Sequence, residues 1–354
     1  MHDHEAFIGT SCSNGEEELE ATDGLIMNHN LDLRRAQPVA RVAIAVYGLF
    51  RHDCGSINFD AIFKDPLKKS SRYTYIVDVM THANIVAHED GAKRQGSDRI
   101  ASRPTGTTRI SPFLFTKFKP CKFDTTDQDL VDDEIEPALV ETCGKVGDFW
   151  DTKGKPNPDG TRSEQFGLNT ECKTTKNLFR SFYSQKKAAQ LVLAHERESR
   201  FQYDVVVVVR GDVLFTRPMN VDYFDLIVRH GKEGIETLFT PDWARFNGRR
   251  KQDGYNDRFV LGHRGPTLHV MQRLDYVADH VADIGKGPFF KDEASEKRIH
   301  SESFMRWVVD RYSESHRDSP GARFDLRIVH DFFFRRVRSD GKRHPLPYAS
   351  RHMH

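Results

Sequence analysis

The chain has 354 residues, enough for one large α/β domain or two smaller ones. Lysine plus arginine number 53 against 52 aspartate plus glutamate, so no global field favours nucleic acid or an anionic membrane. No run of about 18 apolar residues marks a membrane span, and 25 phenylalanines in a 38% hydrophobic chain suffice for a substantial core. The five cysteines, Cys12, Cys54, Cys121, Cys143 and Cys172, are scattered without a C-x-x-C pair. Neither a zinc site nor a disulfide framework is therefore expected, and a reducing compartment suits them. With no apolar segment at the N-terminus to act as a signal peptide, the expected location is cytoplasmic.

Residues 1–38 are polar and acidic and read as a flexible leader closed by Pro38. Val39 to Gly48 is the first strand. It ends in Gly48-Leu49-Phe50-Arg51, where Gly48 permits a tight turn or a close approach to a ligand and Arg51 suits a phosphate. A second strand covers Tyr73 to Met80 and carries Asp78. Residues 84–170 are rich in Gly, Arg, Pro, Thr and Asp and read as an irregular insertion; within it, Asp127 to Val140 has the apolar spacing of a short helix. Asn177 to Arg200 is the best helix, with apolar positions at helical spacing and no Gly or Pro.

Val205 to Val209 is a run of five valines. Valine loses rotamer freedom in a helix and suits a pleated surface. A continuous rather than alternating run is the mark of a strand buried on both faces, as in the centre of a parallel sheet. That strand ends in Arg210-Gly211-Asp212, and the carboxyl ends of such strands are where open α/β sheets bind ligands. A helix at Val221–Arg229 and a strand at Ile235–Thr240 follow. A polar, basic loop around Arg249-Arg250-Lys251 comes next, flanked by Trp243 and Tyr255, aromatics placed either to stack on a ligand or to pack. Then come a loop-to-strand segment at Tyr255–Gly262 bearing Asp257, a helix at Thr267–Ile284, a helix at Ser301–Tyr312 bearing Glu302, and a closing strand at Asp325–Val329. Residues 341–354 form a tail. No G-x-G-x-x-G follows the first strand, which disfavours a dinucleotide-binding dehydrogenase.

Taken in order, these segments resemble the GT-A class of nucleotide-sugar glycosyltransferases, and more narrowly the glycosyltransferase-like proteins of viruses, algae and microbes. The resemblance runs through Tyr47-Gly48-Leu49-Phe50-Arg51, Val77 to His82, Phe182 to Ala188, Tyr203 to Phe215, Asn256 to Gly262 and the Ser301-Glu302-Ser303 helix. It implies a mostly parallel, Rossmann-like sheet flanked by helices in a single large domain spanning 39–340. It also implies transfer of a sugar from a nucleotide-sugar donor to a hydroxyl of a glycan or glycoprotein. On this reading Asp257 and Glu302 are the candidate catalytic carboxylates, since acceptor deprotonation calls for one. Gly48, Arg51, Asp78, Lys186 and Arg210 are candidates for holding the donor, and Asp212 for a Mn²⁺ or Mg²⁺ ion, because hard cations take oxygen ligands. The chain departs from that class at one place. Where many members carry Asp-x-Asp, it has Arg210-Gly211-Asp212, so cations such as Arg210, Lys186 and Arg51 are an alternative way to neutralise phosphates. The same scaffold also suits a non-catalytic module that binds a nucleotide sugar or a glycan.

Overall fold

The structure is a computed structural model. It describes residues 37–48, 59–85, 120–146, 172–242, 246–247, 250–251, 254–284, 299–317, 321, 323–332 and 334–336. Arg51, Trp243, Arg249, most of the leader and the tail fall outside these residues.

The valine run is β4, Val205–Arg210, and all five valines are buried. Burying them is worth on the order of 10 kcal/mol against leaving them in water. Because both faces of the strand are apolar, only an interior place in the sheet satisfies it. β4 lies between β1, Val39–Gly48, in parallel and β9, Phe259–His263, in antiparallel register. Beyond β1 come β2, Thr74–Ile85, and β3, Lys122–Asp127, each parallel to its neighbour. Beyond β9 come β6, Ile235–Pro241, and β10, Arg323–Val329, giving a seven-stranded sheet in the order β10-β6-β9-β4-β1-β2-β3. The fold is α/β with one mixed, mostly parallel sheet, as the resemblance implies.

The alternating side chains of the central strands feed two cores. Val42, Ile44 and Val46 of β1, with Val205, Val207 and Val209 of β4, face an aromatic-rich layer that includes Phe63, Phe215, Phe224, Phe259 and Phe334. Phe224 comes from α3, Val221–Lys232, which begins with Asn220 capping the N–H of Asp222. Phe215 belongs to β5, Val213–Phe215, which pairs with β11, Phe334–Arg336, and a separate short ladder pairs β7, Phe246–Asn247, with β8, Arg250–Lys251. The opposite residues, Ala43, Ala45, Tyr47, Val206 and Val208, face helices. The alanines of β1 are small enough to admit α2, Lys173–Ser199, whose Phe179, Phe182, Ala188 and Ala189 are fully buried. Further along this face lie α4, Arg264–Met271, α5, Val277–Asp283, and α6, Ser301–Arg317.

Four sequence expectations change. The span 84–170 holds the expected helix, α1, which runs longer than expected over Gln128–Val146, and also a strand that was not expected, β3. β2 continues to Ile85, since pairing with β1 on one side and β3 on the other satisfies its backbone well past Met80. The single helix expected at Thr267–Ile284 is broken at Gln272 and passes through a 3₁₀ turn, Arg273–Tyr276, which turns Arg273 inward. Finally, Cys143 at the end of α1 is joined to Cys172, the N-cap of α2, across 29 residues. A disulfide absent from the sequence reading therefore straps the two helices together. Breaking it with Cys143→Ser and Cys172→Ser is expected to cost about 3 kcal/mol through the freedom returned to the unfolded loop, read as a lower urea midpoint that matches wild type in reducing agent.

Gly262 shows how close the sheet and helix layers run. A Cβ there would lie 2.7 Å from the Thr237 carbonyl oxygen and 2.9 Å from Thr267 Oγ1. Since backbone cannot yield cheaply, Gly262→Ala is expected to destabilise by about 1–3 kcal/mol, measured by chemical denaturation.

Candidate functional site

The order of strands fixes where a ligand can meet this sheet. From β1 the chain moves outward to β2 and β3, then returns to place β4 on the other side of β1. That reversal makes the carboxyl ends of β1 and β4 the topological switch point, the place where open α/β sheets bind ligands. The residues at these ends are Tyr47 and Gly48 of β1 and Arg210 of β4. Antiparallel β9 brings in its amino-terminal approach, Asn256, Asp257 and Arg258, at the same edge.

Backbone bonds hold the edge in place. Gly211 N–H donates to the Tyr47 carbonyl at 2.8 Å, and Arg210 N–H to the Arg258 carbonyl at 3.2 Å. Gly211-Asp212 is the turn between β4 and β5, so Asp212 sits on a two-residue bridge between two fully buried strands. Tyr255 N–H donates to the Glu302 carbonyl at 3.0 Å, tying the start of α6 to the same edge. The Tyr255 ring is buried in the helix-side core, so it packs. Asn256 Oδ1 accepts from Arg258 N–H at 2.9 Å. Asn256 thereby closes an Asx turn, and the Asp257 carboxylate is left to the site.

Three guanidinium groups and three carboxylates converge here. Arg210 Nη2 donates to Asp212 Oδ2 at 2.7 Å. Arg258 Nη1 lies 3.6 Å from both Asp257 Oδ1 and Glu302 Oε1. His300 Nδ1 lies 3.0 Å from Glu302 Oε2. Ser301 donates its hydroxyl to Asp257, and Tyr47 donates its own to the Asp257 carbonyl at 3.1 Å. Beneath them Arg273 is fully buried, its guanidinium 4.4 Å above the Phe182 ring and its Nη1 3.1 Å from Met305 Sδ. Among the described residues its Nε and Nη2 have no hydrogen-bond partner.

This charge arrangement sets the protonation states. Burial works to raise the Asp257 carboxyl, but Arg258, Arg273 and Arg210, with the Ser301 hydroxyl, outweigh it and hold the group well below the usual carboxylate range. Burial, helped by the Asp257 carboxylate, pushes the Tyr47 phenol up to about 12, against the pull of Arg210 and Arg273. Burial disfavours the charge on Arg210, yet Asp212, Tyr47 and Asp257 more than restore it. Burial lowers Arg273 from its ordinary value, with Tyr47, Asp257 and Glu302 opposing.

The remaining sequence candidates fall differently. Gly48 lies at the edge with φ of +100°, a conformation that favours glycine. Its N–H donates 2.8 Å to Ser184 Oγ, which lies 2.7 Å from His82 Nδ1, while His82 Nε2 lies 3.0 Å from Thr126 Oγ1. This chain anchors the last residue of β1 to α2 and β3. Asp78 is not at a strand end. It lies opposite Ala43 in mid-strand and accepts from the Tyr203 hydroxyl at 2.9 Å, a hydroxyl shared with His195. It is a buried structural acceptor away from the cluster, because β2 extends further than expected. The Lys186 ammonium is engaged by Asp275 at 2.5 Å. Sequence reasoning missed Arg258, Arg273, His300 and Ser301. Arg258 and Ser301 adjoin the named carboxylates and were within reach of it, whereas nothing in the sequence around Arg273 signals its burial.

For a divalent ion the donor set fits poorly. Asp212 is the one carboxylate on the β4–β5 turn, and Arg210 already holds it. At about 4 Å and an effective dielectric of ~20, attraction of a dication to Asp212 and repulsion from Arg210 are each about 8 kcal/mol and nearly cancel. Among the described residues no group of three His, Cys, Asp or Glu is placed to hold a metal.

No family model and no curated protein matches the chain. Among solved structures it is similar to mouse xyloside xylosyltransferase 1, apo form, at 9% identity and a TM-score of 0.33, covering 82% of this chain and 85% of that one. Nothing about donor, acceptor or catalytic residues follows from a likeness at that level. The chain is an α/β protein with three guanidinium groups and three carboxylates gathered at its topological switch point. No helix of the described residues is long and apolar enough to cross a membrane.

The His82 relay gives a pH signature. Burial, helped by Lys187, lowers His82 from 6.5 to about 3. Below 6.5 the unfolded chain therefore takes up a proton that the folded chain refuses, and stability falls as the pH drops from 6.5 towards 3. His82→Asn is expected to be less stable at neutral pH. Its stability loss between pH 6.5 and 4 should be smaller than wild type's by on the order of 3 kcal/mol, followed by urea denaturation across that window.

Proposed function

We propose that the protein is a glycosyltransferase that moves a sugar from a nucleotide-sugar donor to a hydroxyl of a glycan or glycoprotein. The observation carrying this reading is the convergence of Arg210, Arg258 and Arg273 with Asp212, Asp257 and Glu302 at the strand-order reversal. The sequence resemblance to GT-A transferases supports it independently, through the same segments.

Transfer breaks the bond between the sugar C1 and the donor phosphate oxygen, and the electron pair leaves with the nucleoside diphosphate. A bond forms from C1 to the acceptor oxygen, whose proton passes to a base. The cluster offers a group for each need. Arginines stay protonated at any physiological pH and present paired N–H donors to phosphate, which suits the departing diphosphate. Asp257 is one of the two candidate carboxylates, but a carboxylate held so far below its ordinary range accepts a proton poorly. It suits a different task, accepting hydrogen bonds from sugar hydroxyls and facing the positive charge that grows at C1. Glu302 faces one guanidinium at 3.6 Å and an imidazole at 3.0 Å, and is assigned as the base.

Glu302→Gln is then expected to lower kcat by about 10²–10⁴-fold while donor affinity stays within a few-fold. The readouts are transfer or slow donor hydrolysis against a panel of UDP- and GDP-sugars and titration calorimetry of the same donors. Asp257→Asn should lose both turnover and donor affinity. Donor binding by wild type with no hydrolysis or transfer would favour a non-catalytic binding module, and absence of any nucleotide-sugar binding would overturn the assignment.

A further inference from the structure

The cluster is layered by charge. The side chains that reach solvent are two of its guanidinium groups, those of Arg210 and Arg258, each 18% exposed, and the His300 imidazole at 15%, while Asp212, Asp257 and Glu302 lie beneath them at 4%, 8% and 7%. An approaching ligand meets guanidinium first. Carboxylates arranged to capture a metal ion would be layered the other way, with oxygens outward and cations behind.

We propose that Arg210 and Arg258 hold the donor's diphosphate directly and that the protein requires no divalent cation to bind or release it. This rests on the nucleotide-sugar reading above and settles how that site carries phosphate charge. Three points on the same edge support it. Asp212, the residue at the metal-binding position of the related class, is engaged by Arg210 at 2.7 Å. The guanidinium of Arg210 uses Nη2 in that bond, and its remaining N–H groups keep the planar fork that matches two phosphate oxygens. Arg273 is the third point. It is fully buried over Phe182 and next to Asp257, Glu302 and Tyr47, with two N–H nitrogens unpartnered among the described residues. Burying a guanidinium so incompletely paired is costly. Set behind the carboxylates, it neutralises them from below, so that the positive charge of Arg258 and Arg210 is left facing outward. Arg273 is in this sense a positioning residue, and it does not touch the ligand.

The test is titration calorimetry of the full-length protein with UDP and with GDP, in excess EDTA and again with Mn²⁺ or Mg²⁺ restored. The expected result is binding of one nucleotide in EDTA with a Kd that changes by less than about threefold when metal is added. Arg258→Lys, which keeps the charge but loses the fork, should weaken that binding about tenfold in EDTA, with a melting temperature that confirms folding. Binding that appears only with metal, or tightens more than about tenfold on adding it, would overturn the proposal while leaving the transferase reading intact. No nucleotide binding under either condition would instead remove the reading on which it rests.

Discussion

Five consecutive valines cannot be left in water without a loss on the order of 10 kcal/mol, a quantity comparable to the whole stability of a domain. That constraint places β4 in the middle of the sheet, with β1 on one flank and β9 on the other. Everything at the candidate site follows from it. The first residues able to leave the apolar layer are Arg210, Gly211 and Asp212, and they leave it where the strand order reverses. The short bridge into β5 then fixes Asp212 between two buried strands, close enough to Arg210 for an ion pair. A rigid sheet thus positions a charged pair that a loop alone would leave adjustable.

The second constraint is electrostatic. Buried carboxylates persist only with partners, and here Asp212 is paired with Arg210, while Asp257 and Glu302 share Arg258, with buried Arg273 beside them. Arg210 comes from β4, Arg258 from the approach to β9, and Arg273 from the break between α4 and α5. The same matching that makes the cluster tolerable also sets its chemistry. It holds Asp257 ionised and turns the guanidinium groups of Arg210 and Arg258 towards the solvent, while burial keeps Tyr47 protonated against the pull of Arg210 and Arg273. Stability and function are therefore coupled through one set of ion pairs, and loss of any one member leaves its partner buried and uncompensated.

Much of the sheet was legible in the sequence because its strongest signals are local. β-branched runs in β1 and β4, helical spacing in α2 and the capped start of α3 each announce themselves within a dozen residues. β3 did not, because Lys122-Phe123-Asp124-Thr125-Thr126-Asp127 is an edge strand with no apolar alternation to speak of. The antiparallel direction of β9 is a property of the connections and leaves no trace in Phe259–His263 itself. The carboxylates Asp212, Asp257 and Glu302 were found because they sit at strand and helix ends. Arg273 was not, since its burial depends on a helix break at Gln272 that periodicity read straight through. Asp78 was misplaced for the same reason in reverse: β2 outruns its apolar pattern because its neighbours supply hydrogen bonds. The Cys143–Cys172 link rests on the packing of two helices 29 residues apart in sequence, which no spacing rule exposes.

The most direct test of the whole account is a crystal structure of the protein soaked with a nucleotide sugar that binds in solution. The account predicts the diphosphate at the carboxyl ends of β1 and β4, within hydrogen-bond distance of Arg210 and Arg258, with the sugar towards Asp257 and Glu302. A donor bound at any other face of the sheet, or a diphosphate oriented away from both arginines, would contradict it.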